Sequence, residues 1–468
     1  MSQAFKDISF PAEQTAYEER VRAILGNIYG ENPKACVITY GCQQNVSDSE
    51  RIKGMLYEMG YSFTDDVAEA DFILYNTCAV RGHAEDRVYG NIGAMKHYKR
   101  RKPSLLLAIC GCMVQQSQVS ERIRKSYPYV DICFGTHVAH RLPEFIYKRL
   151  SGSERIFEIS DENSDIVEDI PVRRDGSFKG WLPIMYGCNN FCTYCIVPYG
   201  RGRERSRESE KIIAEAREMV AAGFKDITLL GQNVNSYGKD SENGVNFARL
   251  LRMINDIDGD FRIRFMTSHP KDCTTELLDA IRDCEKVSTH LHLPFQSGSD
   301  RILKLMNRHY DRTAYLKLIE EARARIPDIS LTSDVIVGFP GETYEDFKQT
   351  VSLVEQVKFS SLFTFIYSPR EGTPAAVMDD PVSREEKGKW FNELLQVQER
   401  VSKVNMQSLI GREYRVLCDD YGHTEGLLSG HTSGTAVIEF EGDDSLIGKF
   451  VNVKVDSYSN VLKGTIIK

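Results

Sequence analysis

From residue 34 onward, short apolar runs alternate with longer stretches whose apolar positions recur every three to four residues. Runs at 35–39, 72–75, 105–109 and 130–134 read as strands, and the stretches at about 46–59 and 85–98 read as helices. Strand, helix, strand in that order builds a parallel sheet, so residues 34–150 are expected to form a doubly wound βαβ domain. Ahead of it, residues 12–28 carry an amphipathic pattern that stops at Gly30 and Pro33, which marks residues 1–33 as a helical extension. Residues 154–175 are rich in Asp, Glu and Ser and end in Pro171 and Gly176, so a linker is expected over 151–173.

The strand–helix rhythm then resumes. Strands are expected at 181–186, 226–230, 262–266, 290–293, 330–337 and 362–367. Helices fall between them at 209–222, 247–257, 275–284, 300–306 with 313–325, and 344–357. Six β/α units within 174–407 suggest an open partial barrel rather than a closed eight-stranded one, with the long helix 384–407 as its last element. The pattern changes again at 408–468. Five short alternating runs (413–418, 424–429, 436–440, 450–456 and 461–467) are punctuated by Gly422, Gly430, Gly434, Gly442 and Gly448. That spacing predicts a small OB-like β-barrel.

Composition narrows the setting. With 468 residues, 41% hydrophobic and 27% charged, the chain is an ordinary soluble globular protein of several domains. No apolar run approaches the length of a membrane helix. The first residues lack an apolar signal segment, and Glu13, Glu18 and Glu19 are wrong for a transit peptide. A reducing cytoplasm is therefore expected, so the twelve cysteines serve as metal ligands, catalysts or core rather than as disulfides. The net charge of −8 does not favour nucleic acid, yet Lys96-His-Tyr-Lys-Arg-Arg-Lys102 and the run Arg201, Arg203, Arg205, Arg207 are locally basic. Either run can contact phosphates or simply form a solvated or salt-bridged face.

Cys188, Cys192 and Cys195 follow the strand at 181–186 in a C-x3-C-x2-C pattern. Three thiolates cannot complete a four-ligand structural zinc site. They can hold three corners of a 4Fe-4S cluster and leave one iron open for S-adenosylmethionine (SAM). Cys42, Cys78 and Cys112 each stand just past an expected strand, and parallel strands end along one edge of their sheet. They should converge into a second three-ligand site; the alternative is that each is a small buried hydrophobe. Cys36, Cys110, Cys133, Cys273, Cys284 and Cys418 read as core. In the barrel, Gly231 permits close backbone approach to a ligand. Gln232, Asn233, Ser268, Gln296 and Asp334 offer donors and acceptors for an amino acid or a ribose, or else act as turn and capping residues. His269, before Pro270, reads as a satisfied loop histidine.

These motifs resemble the radical-SAM methylthiotransferase family over residues 34–468. The resemblance rests on Gly41-Cys-Gln-Gln-Asn45, Asn76-Thr-Cys-Ala-Val-Arg81, Gly111-Cys-Met-Val-Gln-Gln116 and Tyr186 to Arg207, in which Tyr194 precedes the third cysteine. Ser268-His-Pro270, His292-Leu-Pro-Phe-Gln-Ser-Gly-Ser-Asp300 and Val337-Gly-Phe-Pro-Gly-Glu342 extend it. It implies an α/β chain with a radical-SAM partial barrel, a C-terminal TRAM domain, two 4Fe-4S clusters and SAM. It also implies that the Cys188, Cys192 and Cys195 cluster binds and cleaves SAM, with Tyr194 and the strand-end polar residues as its contacts. The Cys42, Cys78 and Cys112 cluster would carry the sulfur to be transferred.

The run Leu229-Leu-Gly-Gln-Asn-Val-Asn-Ser-Tyr237 is most similar to the branch that methylthiolates carbon-2 of isopentenyladenosine in tRNA. That carbon bears an unactivated C–H, which general-base catalysis does not reach. Alternatives from the same chemistry are threonylcarbamoyladenosine in tRNA and a ribosomal-protein aspartate; from another class, an iron–sulfur RNA-binding protein without turnover. The implied partners are tRNA, held in part by Arg201, Arg203, Arg205 and Arg207, and a flavodoxin-like or ferredoxin-like electron donor. A monomer without membrane contact is expected. The TRAM segment carries more Asp and Glu than Lys and Arg, so its own grip on RNA is left open.

Overall fold

The structure, a computed structural model, describes residues 7–79, 82–160, 165–241 and 243–467. Residues 1–6 of the helical extension, Val80 and Arg81 of the second cysteine motif, residues 161–164 of the linker and Lys468 lie outside the described residues. The chain forms two units that interleave in sequence. One comprises Met1–Gly176, Pro183–Asn189 and Cys195–Ile212, and the other Ser177–Leu182, Asn190–Tyr194 and Ile213–Lys468.

In the first unit, strands β1 (Lys34–Thr39), β2 (Ser62–Phe63), β3 (Phe72–Thr77), β4 (Leu106–Gly111), β5 (Ile132–Phe134) and β6 (Ile156–Glu158) form one parallel sheet in the order β2-β1-β3-β4-β5-β6. Alternate strand residues point to opposite faces, and both faces are covered. Ala35, Phe72, Leu74, Leu106 and Ile132 pack with Val21, Leu25, Ile52, Met55 and Phe145 from three helices. Cys36, Ile73, Leu107 and Cys133 pack on the other side with Val88, Ile92, Val119 and Ile123. Burial on both faces is why these strands read as unbroken apolar runs. The register pairs Thr39 with Asn76 and Thr77 with Gly111, so the first three long strands end level with one another. Strand order reverses between β1 and β3, the switch point at which doubly wound sheets open a crevice.

The expected strand at 181–186 is broken. Lys179–Pro183 belongs to the barrel, whereas Met185–Tyr186 pairs antiparallel with Arg205–Ser206. The break lies at Ile184, whose carbonyl accepts from Arg207 N at 3.0 Å. Gly187 then turns with φ +78°, where a Cβ would lie 2.0 Å from the Arg203 carbonyl. The cysteine loop therefore starts from a short antiparallel pair rather than from a barrel strand.

The second unit holds β7 (Lys179–Pro183), β8 (Asp226–Leu230), β9 (Arg262–Phe265), β10 (His290–His292), β11 (Ser330–Val337) and β12 (Ser361–Ile366). They form two three-stranded sheets, ordered β9-β8-β7 and β10-β11-β12, joined by a parallel bridge between Ile263 and Val287. This is the open six-unit half-barrel the sequence predicts. Residues 413–467 close into a five-stranded barrel around Val416, Ile438, Phe440, Val453 and Leu462. Its loop 431–435 caps the starting ends of the half-barrel strands. Arg262 donates to the carbonyls of His431 and Thr432, both at 2.9 Å, and Arg264 to Thr432 and Gly434 at 2.8 and 3.1 Å. The small barrel thus braces the half-barrel at the edge opposite the strand ends.

Candidate functional site

The backbone brings Cys42, Cys78 and Cys112 together at the level ends of β1, β3 and β4. Gly41 sits at φ +147°, and a Cβ there would stand 2.6 Å from Cys78 Cβ and 2.5 Å from Asn45 Oδ1. Only glycine lets the first cysteine loop approach the second this closely. Cys42 then caps the helix Gln43–Glu58, its N–H donating to Asn45 Oδ1 at 3.3 Å. Asn45 Nδ2 donates to Asn76 Oδ1 at 3.1 Å and to the Thr77 carbonyl at 3.2 Å, and Asn76 Nδ2 returns a bond to the Asn45 carbonyl at 2.8 Å. Thr77 Oγ1 donates to the Cys110 carbonyl at 2.6 Å, which ties the second loop to the third. Gly111 allows the last approach: with φ +103°, its Cβ would lie 2.2 Å from the Thr77 carbonyl. The residues around each cysteine are therefore the clamps that hold the three loops in register.

The electrostatics treat the thiols of Cys42 and Cys112 differently. A hydrogen bond with Cys78, helped by the positive field of Arg201, holds the Cys42 thiol down at about 6 against the opposing effect of burial. Burial pushes the Cys112 thiol up, and Arg201 works against it. The Arg201 Nε donates to Cys112 Sγ at 2.9 Å, while its Nη2 pairs with Asp48 Oδ2 at 2.7 Å. Arg201 also lines a cavity of about 100 Å³ with Asp48, Arg51, His137 and Arg205. Among the described residues no three Cys, His, Asp or Glu side chains close around a single ion. A four-iron cube does not require that, because each of its thiolates binds a separate iron. The donor set, three cysteines with a lowered thiol and a buried cation on one sulfur, fits such a cube.

Arg201, Arg205 and Arg207 do not face solvent, which corrects the expectation of a four-arginine phosphate clamp. Besides Arg201, Arg205 Nη2 donates to the Arg201 carbonyl at 3.2 Å, and Arg207 makes a bidentate pair with buried Glu168 at 2.6 Å. Burying unpaired guanidinium is costly, so these three form the interior of the unit. Arg203 alone of the four is exposed. The basic run at 96–102 is also partly structural, since Lys99 pairs with Asp131 and Lys102 with Asp71, both at 2.6 Å. Lys96, Arg100 and Arg101 remain exposed.

In the cysteine loop, Cys188 and Cys192 are buried and Cys195 is half-buried. Cys188 N donates to the Gly202 carbonyl at 3.1 Å in the first unit. In the second unit, Thr193 N and Oγ1 donate to the carbonyls of Met306 and Leu305 at 3.1 and 2.9 Å. Cys192 Sγ accepts from Arg308 Nη1 at 3.3 Å, and Arg308 is fixed by Tyr310 Oη at 3.0 Å and the Pro294 carbonyl at 2.7 Å. Each cysteine trio thus has one sulfur facing a buried guanidinium. Tyr194 packs on the apolar cluster of Ile302, Met306, Phe339 and Ala375.

The strand-end residues divide. The Gly231 carbonyl accepts from Thr267 Oγ1 at 2.7 Å, and Gln296, at φ +65°, donates its N–H to the Asp334 carbonyl at 2.9 Å. The Asp334 carboxylate lies 3.5 Å from His292 Nε2, and Gln232 is half-buried. Asn233 Nδ2 donates to Asp272 Oδ2 at 2.7 Å, but its Oδ1 is buried without a hydrogen bond. The same holds for Ser268 Oγ, both amide atoms of Asn235, and His269 Nε2. Buried polar atoms are ordinarily paired, so this group suits a polar ligand at the strand ends. Asn235 was not singled out in the sequence, and His269 is not fully satisfied as expected; its Nδ1 accepts from Lys271 N while burial pushes its pKa well down. Asp48 and Arg308 had no sequence signal at all, because each acts on a cysteine distant in the chain.

Three family descriptions match the chain: Radical SAM superfamily over residues 182–354, Uncharacterized protein family UPF0004 over 34–135, and TRAM domain over 407–467. A relative from Acetivibrio thermocellus, named tRNA-2-methylthio-N(6)-dimethylallyladenosine synthase, is 50% identical over 94% of this chain and 92% of its own length. One of the same name from Alkaliphilus oremlandii is 51% identical over 91% of each. Among solved structures, the radical S-adenosylmethionine methyltransferase TsrM from Kitasatospora setae shares the fold with a TM-score of 0.58 at 13% identity, covering 74% of this chain and 77% of that one. Apo OxsB, a cobalamin-dependent S-adenosylmethionine radical enzyme, gives 0.52 at 14% identity over 80% and 56%.

Proposed function

This chain belongs to the tRNA-2-methylthio-N(6)-dimethylallyladenosine synthases, a branch of the radical-SAM methylthiotransferases, and from that premise we propose how its residues divide the work. The enzyme transfers a methylthio group to carbon-2 of dimethylallyladenosine (isopentenyladenosine) in tRNA, with two 4Fe-4S clusters and SAM as cofactors. Cys188, Cys192 and Cys195 hold one cluster, and Cys42, Cys78 and Cys112 hold the other. When bound, these groups supply the electron, the hydrogen-abstracting radical and the sulfur that no side chain can provide. The observation that carries the second assignment is the convergence of three cysteines, far apart in sequence, on one sheet edge with Arg201 against a sulfur.

The protein's own part is binding, charge and orientation. Arg201 and Arg308 each place a guanidinium hydrogen bond on one sulfur, Cys112 and Cys192, and tune the reduction potential through it. Asn45, Asn76 and Thr77 keep the auxiliary trio in register. Asn233, Asn235 and Ser268 present buried amide and hydroxyl groups to SAM, with Tyr194, Gly231, Gln232, Gln296 and Asp334 around them. Exposed Arg203, Lys96, Arg100 and Arg101 contact tRNA phosphates. A flavodoxin-like or ferredoxin-like protein delivers the electron to a monomer in the cytoplasm; no described helix is long and apolar enough to cross a membrane.

Iron analysis after anaerobic reconstitution tests the ligand sets. Wild-type protein should carry about eight irons, and replacement of either trio by alanine should leave about four. A trio whose loss leaves the iron content unchanged is not a ligand set. Nucleoside analysis of tRNA tests the reaction: cells lacking the gene should accumulate dimethylallyladenosine without its 2-methylthio derivative.

A further inference from the structure

On β11, Leu331, Val335 and Val337 are buried, whereas Ser330, Asp334 and Ile336 are only partly so. The second set faces the inside of the half-barrel, since strands of such barrels alternate between helix-covered and inward positions. The parallel register places Phe363 beside Asp334 and Phe365 beside Ile336, on that same inner face. Both phenylalanines belong to β12, the last strand of its sheet, and they are 46% and 51% exposed.

Two adjacent phenylalanines left open on an edge strand are an aggregation liability, so a soluble protein retains them where they contact something. Phe363 has an ordered neighbour. The His292 ring stands edge-on to Phe363 at 5.8 Å, and His292 is fixed by Thr332 Oγ1 at 2.9 Å and by Asp334 at 3.5 Å. Ile336, opposite Phe365, packs into the same apolar cluster as Tyr194 beside the third cysteine of the loop. The aromatic pair therefore lies along the inner wall on the side of the cysteine loop.

We propose that Phe363 and Phe365 receive the dimethylallyl-substituted adenine and set the preference for prenylated over unmodified adenosine. The inference rests on the dimethylallyladenosine reading above. The relatives' substrate is a flat purine with a branched apolar substituent at N6, and aromatic side chains are the usual platform on which proteins stack unpaired bases. Both rings lie against the apolar branch, so an adenine without the branch loses contact with them and nothing else.

The test is an affinity ratio. Binding of an anticodon stem-loop RNA with and without the dimethylallyl group is measured by fluorescence anisotropy for wild-type protein, Phe363→Ala, Phe365→Ala and Phe365→Leu, with SAM affinity measured alongside. Wild-type protein should favour the prenylated RNA by roughly tenfold or more. Each alanine variant should bring that ratio within about threefold, and Phe365→Leu should keep an intermediate ratio because it retains apolar area. Affinity for the unmodified RNA and for SAM should stay as in wild type. Variants that discriminate like wild type, lose both RNAs equally, or lose SAM instead overturn this inference alone. A wild-type protein that binds both RNAs alike overturns the substrate reading and the inference with it.

Discussion

Replacing Arg201 by methionine removes a buried cation while keeping most of its length. Arg201 spans two partners, Cys112 Sγ at 2.9 Å and Asp48 Oδ2 at 2.7 Å, with its own side chain 7% exposed and that of Asp48 20% exposed. Breaking a buried ion pair from one side costs about 3–5 kcal/mol, because the remaining charge is left without compensation. Asp48 keeps some contact with water, so the lower end, about 3 kcal/mol, applies. For a unit of this size that corresponds to roughly 6–12 °C in Tm. Thermal unfolding of metal-free Arg201→Met, followed by circular dichroism, should show this drop. Adding Asp48→Asn should recover most of it, since the stranded carboxylate is then gone. Arg201→Lys should fall between, because an ammonium cannot serve sulfur and carboxylate with the same fixed fork. If Arg201→Met unfolds within about 3 °C of wild type and the double variant gains nothing, the ion-pair reasoning fails.

Three further outcomes follow from the packing. Gly41→Ala places a methyl 2.6 Å from Cys78 Cβ at a φ of +147°, so it should reduce bound iron by about half while leaving the other cluster loaded, as an iron assay would show. Burial lifts the Glu342 carboxyl from its ordinary 4.5 to about 7 although Gly338 and Phe339 donate to it. Stability from a raised carboxyl is full below its unfolded value and is lost as pH rises through the folded one; denaturant titration from pH 4.5 to 8 should show wild type losing about 3 kcal/mol relative to Glu342→Gln. A pH profile parallel in the two proteins would count against it. Arg262→Met removes the guanidinium that donates to three carbonyls of the small barrel, those of Arg415, His431 and Thr432. Limited proteolysis should then cut between the half-barrel and residues 413–467 faster than in wild type, and unchanged protection would show that the capping bonds are not what holds the small barrel.

Much of this architecture is legible in the order of residues, because local rules produce it. Two-sided burial leaves unbroken apolar runs in β1, β3 and β4, alternation leaves the five-stranded barrel, and C-x3-C-x2-C needs no fold to bring its cysteines near one another. The level ends of parallel strands even foretold that Cys42, Cys78 and Cys112 would meet. What a linear pattern could not carry is which side of an arginine run faces inward. Arg201, Arg205 and Arg207 look alike in sequence and like Arg203, yet the antiparallel pairing of 185–186 with 205–206 and the break at Ile184 turn three of them into the interior. Asp48 and Arg308 were silent for the same reason, since Arg308 acts on Cys192, 116 residues away in the chain, and Asp48 acts through Arg201, which is 89 residues from Cys112. Periodicity records a residue's relation to its neighbours along the backbone; the charge around a thiolate depends on neighbours through space, and only the folded chain decides those.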